Sequence, residues 1–169
     1  MLKQVPIRFL RDTVTIFNPF QVADSTTAGW NDYKDYYTAT VITNCNFTDA
    51  NVYNFRQDGT TSGDNFRLYI DAVNSVFTKT TESATYKPTF VEAQSWPLTA
   101  LSAQASNKFT LTKGMFICKG YNSAFNKAKI SRADLNISAL AKLGLKLYTA
   151  KLCDVAEDFG KVHSYRIEG

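Results

Sequence analysis

Alternation of apolar and polar residues predicts β-strands along much of this chain. The clearest alternation places Phe66, Leu68 and Ile70 on one face of a strand and their neighbours on the other. Runs rich in threonine, valine, isoleucine and aromatic residues also favour strands. In chain order, the strands predicted in the first half lie at 12–17, 36–47 and 65–72. We expect the first of them to end at Asn18–Pro19, a pair that is typical of turns.

The same patterns predict two hairpins in the second half of the chain. Residues 109–120 alternate up to Lys113–Gly114 and continue as an apolar run, so we expect two paired strands around a tight turn. Gly114 suits this turn because glycine adopts a positive φ without steric cost. The second hairpin has strands at 146–155 and 162–167, which are connected by a turn at 158–161.

One segment, at about 131–143, has the apolar spacing of a helix. Ser131 and Asp134 match a capping box, with aspartate in place of the usual glutamate. Gly144 follows the last apolar position and suits the end of a helix. We therefore expect a single short helix in an otherwise β-rich chain.

Two stretches lack such patterns. Residues 73–107 are irregular and rich in serine and threonine, so we expect a long loop excursion there. Loops of this length are usually functional. Residues 1–11, with Pro6, predict an N-terminal arm. These features predict one domain over residues 1–169. Its fold class would be mainly β, a small antiparallel β-barrel or sandwich with one short helix and long loops.

Charge is distributed unevenly along the chain. Hydrophobic residues make up 44% and aromatic residues 14% of the sequence, which favours a folded core. The formal charge is only +4, but residues 108–151 hold nine basic residues against Asp134, so this segment carries +8 and the remainder −4. Such an asymmetry suits either a solvated basic face or a surface that meets an acidic partner or a polyanion.

Residues that commonly carry catalysis form no recognisable pattern in the sequence. His163 is the sole histidine, and neither a nucleophile elbow nor a glycine-rich phosphate loop is present. Cys45, Cys118 and Cys153 are too widely spaced for a metal motif, and each lies in an apolar run that favours a buried thiol. The sequence therefore predicts no enzyme and no catalytic, cofactor-binding or metal-binding residues. We also expect no signal peptide and no membrane span.

Three segments carry a resemblance to a known family. Asp-Thr-Val-Thr-Ile-Phe-Asn at 12–18 resembles the opening strand of head–tail connector or minor capsid proteins from tailed phages and prophages of Gram-positive bacteria. Phe-Thr-Leu-Thr-Lys-Gly-Met-Phe-Ile-Cys-Lys-Gly at 109–120 is similar to their second hallmark. Val-His-Ser-Tyr-Arg-Ile-Glu-Gly at 162–169 resembles their closing strand. The segments occur in the family's order and span most of the chain.

This resemblance implies a structural virion protein of the phage neck with no catalytic residues and no cofactor. Its subunits would assemble in the bacterial host cytoplasm as a homo-oligomeric ring of small β-barrels. The ring would lie beneath the portal and adaptor proteins and above the tail proteins. It would help to close the DNA channel, as head closure or stopper proteins do, and would make non-specific contact with packaged DNA.

Four residues are candidates for the contacts of such a ring. Trp96 lies in the 73–107 excursion, which we expect to reach a neighbouring ring or the channel lumen. Lys127, Lys129 and Arg132 are expected to face an acidic neighbouring protein or packaged DNA.

Two other functions are compatible with the sequence. A tail terminator, or another ring protein close to the tail tube, would share the same features. Aromatic and basic residues also alternate along 116–129, as in basic modules that bind single-stranded nucleic acid. The plainer interpretation of that alternation is a sheet face with core aromatics and solvated lysines.

Overall fold

The computed structural model describes residues 6–23, 33–50 and 65–169. Strands account for 50% and helices for 18%, and the main sheet is a curled antiparallel half-barrel, so the predicted mainly β fold class is confirmed. The strands are β1 (Asp12–Ala23), β2 (Tyr33–Ala50), β3 (Asn65–Asp71), β4 (Val76–Thr80), β5 (Thr85–Tyr86), β6 (Thr89–Phe90), β7 (Lys108–Phe109), β8 (Phe116–Lys119), β9 (Ile130–Ser131), β10 (Leu147–Thr149), β11 (Leu152–Asp158) and β12 (Lys161–Glu168). The helices are α1 (Leu101–Ala105) and α2 (Ile137–Lys142), with 3-10 turns at Ile7–Phe9, Trp96–Leu98, Ser123–Phe125 and Arg132–Leu135.

The long strand β2 organises the sheet. One of its edges pairs with β1, from Tyr33 opposite Ala23 to Cys45 opposite Asp12. Its other edge is shared in turn by β9, β4 and β3. The main path through the sheet is β10-β8-β1-β2-β3-β12-β11. The described elements therefore pack around the β1–β2 pair.

The sheet curls because its two end strands are consecutive in the chain. Only Ala150 and Lys151 separate β10, at one end of the path, from β11 at the other. The N–H of Lys151 donates to the carbonyl of Glu168 at 2.7 Å, and the N–H of Gly169 donates to the carbonyl of Phe66 at 3.2 Å. These hydrogen bonds extend the β11–β12 and β3–β12 pairings, and the two-residue connection itself keeps the two ends of the sheet close together.

Two apolar clusters cover opposite faces of the sheet. Ile16 belongs to the larger cluster and Phe17 to the smaller, because successive side chains of a strand point to opposite faces. The larger cluster lies inside the curl and contains three aromatic rings whose centroids are 5.1 to 5.4 Å apart, those of Phe47, Phe66 and Tyr148. The predicted alternation of β3 is confirmed, since the side chains at 66, 68 and 70 are at most 2% exposed.

The predicted end of β1 at Asn18–Pro19 is wrong, because β1 continues to Ala23. Proline is tolerated on a strand edge that has no neighbouring strand. At Pro19 that condition holds, since β8 pairs only with Val14–Phe17 and the Pro19 carbonyl instead accepts a hydrogen bond from the indole Nε1 of Trp96 at 2.7 Å. The local turn signal was therefore overruled by pairing with β2.

The predicted hairpin at 109–120 is also wrong, because its two strands do not pair with each other. β7 pairs in parallel with β6, whereas β8 pairs with β1 and β10. The residues between them form a turn in which Gly114 has the expected positive φ, 87°. Phe109 and Leu111 are buried as the alternation predicts, but Thr110 is buried as well. Alternation identifies buried side chains and not the strand that a segment pairs with.

The segment 73–107, predicted as a loop excursion, packs against the sheet. β4 pairs with β2 at Val41–Thr43, and β5 pairs with β4. Phe77 and Phe90 pack on the larger cluster, and the ring of Phe77 stacks on that of Phe109 at 4.8 Å between centroids. Much of this segment therefore belongs to the body of the domain.

The predicted helix at 131–143 is divided into a 3-10 turn and α2. The capping box of Ser131 and Asp134 is confirmed, and it caps the 3-10 turn. Asn136 then leaves the helical conformation with a ψ of 158°, and its side chain accepts a hydrogen bond from the N–H of Ala139 at 2.7 Å. Asparagine favours such a break because its side chain competes for backbone hydrogen bonds. With α1, the described chain has two short helices where one was predicted.

The C-terminal hairpin is confirmed, with β11 and β12 paired around Phe159 and Gly160. Its predicted first strand, 146–155, is divided between β10 and β11. Two of the three cysteines are fully buried and Cys153 is half-buried. Of the predicted N-terminal arm, residues 1–5 lie outside the described residues, and Ile7–Phe9 form a 3-10 turn.

Candidate interaction surface

Lys129 and Arg132 lie on either side of β9, at the edge of the sheet where β2 begins. β9 pairs with β2 through Ser131 opposite Tyr36. The Nζ of Lys129 lies 5.6 Å from the ring centroid of Tyr36, and the guanidinium of Arg132 lies 4.4 Å from that of Phe116. Both basic side chains are exposed, and cation–π contact with half-buried rings fixes where their charges lie.

Lys127 lies beside an acidic residue of the same chain. Glu82 follows β4, and its carboxylate accepts a hydrogen bond from the N–H of Ala128 at 3.1 Å. Hydrogen bonds from the backbone N–H groups of Glu82 and Ala128 lower the pKa of the Glu82 carboxyl, and the charge of Lys127 lowers it further. Within the described part of the chain, the charge of Lys127 is thus opposed by the carboxylate of Glu82.

Other lysines of the basic segment also meet acids from the rest of the chain. Lys119 pairs with Asp12 at 3.6 Å, and Lys146 with Asp49 at 3.9 Å. These pairs are partly exposed, and each contributes little to stability. They oppose part of the positive charge of residues 108–151 with acids from the rest of the chain, but they lie toward the other end of β2 from β9.

A cleft of about 540 Å³ opens beside Arg132. Leu135 is fully buried and forms its floor, whereas Ile137, at the start of α2, is 79% exposed at its rim. The capping box and the Asn136 cap hold the two short helical segments in place, and these segments orient Arg132 and Ile137. We call this surface, formed by Phe116, Arg132, Leu135, Asn136, Ile137, Ser138, Leu147 and Thr149, the Arg132 cleft.

Trp96 lies apart from these basic residues and is only 5% exposed. Its indole is held by the Pro19 carbonyl, and its own carbonyl accepts a hydrogen bond from the side chain of Gln104 at 2.6 Å. Trp96 forms part of a second cleft of about 600 Å³, together with Asp35 and Tyr37. Its immediate role is packing, and a contact between Trp96 and a neighbouring subunit stays a prediction.

Sequence reasoning missed Lys79, which lies on β4 and is 1% exposed. Its amine donates hydrogen bonds to the hydroxyl of Thr38 at 3.0 Å and to the carbonyls of Gln104 at 2.7 Å and Lys108 at 2.8 Å. These partners are uncharged, and burial lowers the pKa of Lys79 to about 7. The amine ties β4 to β2 and to the α1–β7 segment, so it holds 73–107 against the sheet. A lysine between two threonines gave no sequence signal of this burial.

Sequence reasoning also missed Phe159, at the tip of the β11–β12 hairpin. Its side chain is 97% exposed, and its backbone has a φ of 49°. A two-residue hairpin turn with two positive φ values favours asparagine before glycine. Phenylalanine before Gly160 departs from that preference, and this departure was the available signal.

The histidine and the acidic and cysteine side chains of the described residues form no metal-binding cluster. His163 is half-buried on β12, where its carbonyl accepts a hydrogen bond from the N–H of Ala72 at 2.9 Å. Across 6–23, 33–50 and 65–169, no group of three histidine, cysteine, aspartate or glutamate side chains is placed to hold a metal ion. Within the same ranges, no helix is long and apolar enough to cross a lipid bilayer.

Comparison with known proteins relates the chain to one family. No curated protein and no solved structure matches it. The profile of DUF6751, a family of unknown function, matches residues 9–169, which include every described strand. The chain therefore belongs to the DUF6751 family.

Proposed function

We infer that this chain is a structural subunit of the virion neck of a tailed phage or prophage. Identical subunits form a ring between the portal or adaptor proteins and the tail, and the ring helps to close the DNA channel. The role is non-catalytic and needs no cofactor. Assembly takes place in the bacterial host cytoplasm.

One structural observation supports this proposal. The three segments that resemble head–tail connector proteins, at 12–18, 109–120 and 162–169, contribute to one core. β1 and β8 are paired neighbours, and Tyr165 of β12 packs against Phe109 with ring centroids 6.4 Å apart. The resemblance therefore follows the central framework of the fold and is not confined to a single strand.

A nucleic-acid-binding module is less well supported. Proteins of that kind present free aromatic faces on which bases stack. Here the rings of Tyr36 and Phe116 are half-buried and are contacted by Lys129 and Arg132 of the same chain. A tail terminator would form a similar ring and differs in its position within the particle.

The purified full-length chain is expected to form closed rings of one size, because a neck protein works only as an oligomer. Native mass spectrometry gives the number of subunits, and negative-stain electron microscopy gives the shape. In tailed particles from cells that express a labelled chain, the label should lie at the junction of head and tail.

Two results would contradict this function. A chain that stays monomeric and binds single-stranded DNA, with affinity that falls steeply as salt rises, would instead be a nucleic-acid-binding module. Particles that contain the label only at the far end of the tail, or lack it altogether, would exclude the neck position. A label at the tail side of the junction, bound to isolated tails, would identify a tail terminator.

A further inference from the structure

Phe159 is placed as an anchor for another molecule. Its side chain is 97% exposed, and its positive φ, 49°, is a strained conformation for a bulky residue. A fully exposed phenylalanine in such a conformation contributes no burial to its own domain. Exposed aromatic side chains at a hairpin tip have the properties of the residues that dominate protein interfaces.

The surroundings of Phe159 are acidic. Glu157 and Asp158 at the end of β11 precede the tip and Lys161 follows the turn, so two carboxylates and one amine lie near Phe159. A receptor for this hairpin tip should therefore combine an apolar depression with positive charge.

The Arg132 cleft has this combination. Ile137 and the half-buried Leu147 supply apolar surface. Arg132, which lies over the ring of Phe116, places a positive charge beside them. No carboxylate of the described residues forms an ion pair with Arg132. The second cleft contains Asp35 beside Trp96, and that carboxylate would repel an acidic hairpin. Of these two clefts, charge complementarity favours the Arg132 cleft.

The hairpin tip cannot reach the Arg132 cleft of its own chain. Thr149 lines the cleft, and the seven residues of β11 lie between the end of β10 and Phe159. At about 3.3 Å per residue, an extended strand of this length carries the tip roughly 20 Å away. The cleft that receives Phe159 must belong to another molecule.

We propose that Phe159 of one copy of this chain inserts into the Arg132 cleft of a second copy. The hairpin tip and the cleft are different surfaces, so the contact is head-to-tail, and repetition of such a contact closes a ring when the rotation allows it. This inference rests on the proposed ring function and specifies which surfaces join the subunits.

The test uses two full-length variants, each lacking one side of the contact. Phe159→Asn removes the anchor and places a residue that tolerates the left-handed conformation, so its melting temperature should be unchanged or about 2 °C higher. Its self-association, measured by sedimentation velocity, should weaken by roughly 30-fold or more, as expected for a central aromatic anchor. The double variant Arg132→Glu, Ile137→Ser keeps the anchor and loses the cleft, and its self-association should weaken similarly.

Mixing the two variants tests the direction of the contact. At a concentration too low for the weakened self-association of either variant, each alone should be monomeric, whereas the mixture should form a one-to-one complex, because one intact anchor meets one intact cleft. Leu98→Asn is the matched control, since Leu98 is 87% exposed but lies outside the Arg132 cleft, and it should associate like the wild type. Association should weaken as salt rises, because part of the attraction is between charges.

Three outcomes would overturn the inference. If the cleft variant still forms rings of the wild-type size, Phe159 does not bind in the Arg132 cleft, and the ring function would stand. A mixture that shows no complex would mean that anchor and cleft do not meet. A wild-type chain that is monomeric at all accessible concentrations would contradict both this contact and the ring function.

Discussion

Between pH 7 and pH 9, the free energy of unfolding of the wild-type chain should rise by about 2 kcal/mol relative to that of Lys79→Met. Burial lowers the pKa of Lys79 from 10.5 to about 7, so its amine is largely neutral in the folded chain over most of this range. Lys79→Met keeps the length of the side chain and removes the titrating group. Urea unfolding at intervals of half a pH unit measures the difference.

The sign follows from where the proton binds. At a pH between about 7 and 10.5, an unfolded lysine is protonated while the folded Lys79 amine is largely neutral. The unfolded chain therefore holds more protons, and raising the pH favours the folded state. Below pH 7 both states become charged, and above 10.5 both are neutral, so the contribution of Lys79 changes only inside this window.

The neutral amine fits its site without rearrangement of the backbone. It can still donate to the carbonyls of Gln104 and Lys108, which lie at 2.7 Å and 2.8 Å from Nζ. The hydroxyl of Thr38, 3.0 Å away, can then donate to the nitrogen lone pair in place of its long hydrogen bond to the Gln104 carbonyl at 3.4 Å. The Gln104 carbonyl still accepts from the amine, so the loss of the proton removes the cost of a buried charge while each of these groups keeps a partner.

Comparison with a variant is needed because buried cysteines oppose the rise in the free energy of unfolding that Lys79 produces as the pH increases. Burial raises the pKa of Cys45 and Cys118 from 9.0 to about 12, so unfolded thiols ionise first and stability falls as the pH rises beyond 9. These thiols are present in both proteins and cancel in the difference. Lys87→Met, at an exposed lysine, should reproduce the wild-type profile. Parallel profiles for wild type and Lys79→Met would mean that Lys79 does not titrate in this range.

The elements of this fold could be predicted better than their pairing. Alternation located β3 and the buried Phe109 and Leu111, because burial of one strand face leaves a pattern in the local sequence, but it assigned the buried Thr110 to the other face. Whether β8 pairs with β7 or with β1 depends on residues about a hundred positions away, and no local pattern records it. The prediction of a loop excursion at 73–107 was wrong for a related reason. The strands of this segment have only two to five residues, which is too short for a visible alternation.

At the candidate surface, too, local interactions could be predicted from the sequence and long-range contacts could not. The capping box of Ser131 and Asp134 predicted a helical turn that orients Arg132, because capping is a local interaction. The charge that opposes Lys127 comes from Glu82, whose carboxylate binds the N–H of Ala128 across 46 positions of sequence. Exposure of Phe159 follows from the hairpin register, in which Asp158 lies opposite Lys161 and leaves two residues in the turn. Only the fold supplies such information.

Asn18→Leu should lower the free energy of unfolding by about 3 kcal/mol, since a buried N–H or C=O group without a partner costs roughly 1–3 kcal/mol. Asn18 is fully buried, and its amide donates to the carbonyl of Thr110 at 2.7 Å while its Oδ1 accepts from the N–H of Thr110 at 3.2 Å. The side chain thus supplies to Thr110 the two bonds of a neighbouring strand, at the point where β8 no longer accompanies β1. Leucine has as many side-chain heavy atoms as asparagine, so no cavity forms, and its bulkier methyl groups add to the loss at this buried site. Urea unfolding at pH 7 measures the loss.

Asn46→Leu is the matched control, because it makes the same chemical change where water can replace the lost partners. Asn46 donates to the carbonyl of Phe9 at 3.0 Å and accepts from the hydroxyl of Thr48 at 3.2 Å, and both bonds are exposed. Its loss should cost less than about 1 kcal/mol. Equal losses at the two sites would show that the amide of Asn18 does not act as a substitute strand. In that case the continuation of β1 through Asn18–Pro19 would depend on backbone pairing with β2 alone. The side chain of Asn18 would then play no part in keeping this pair in the strand.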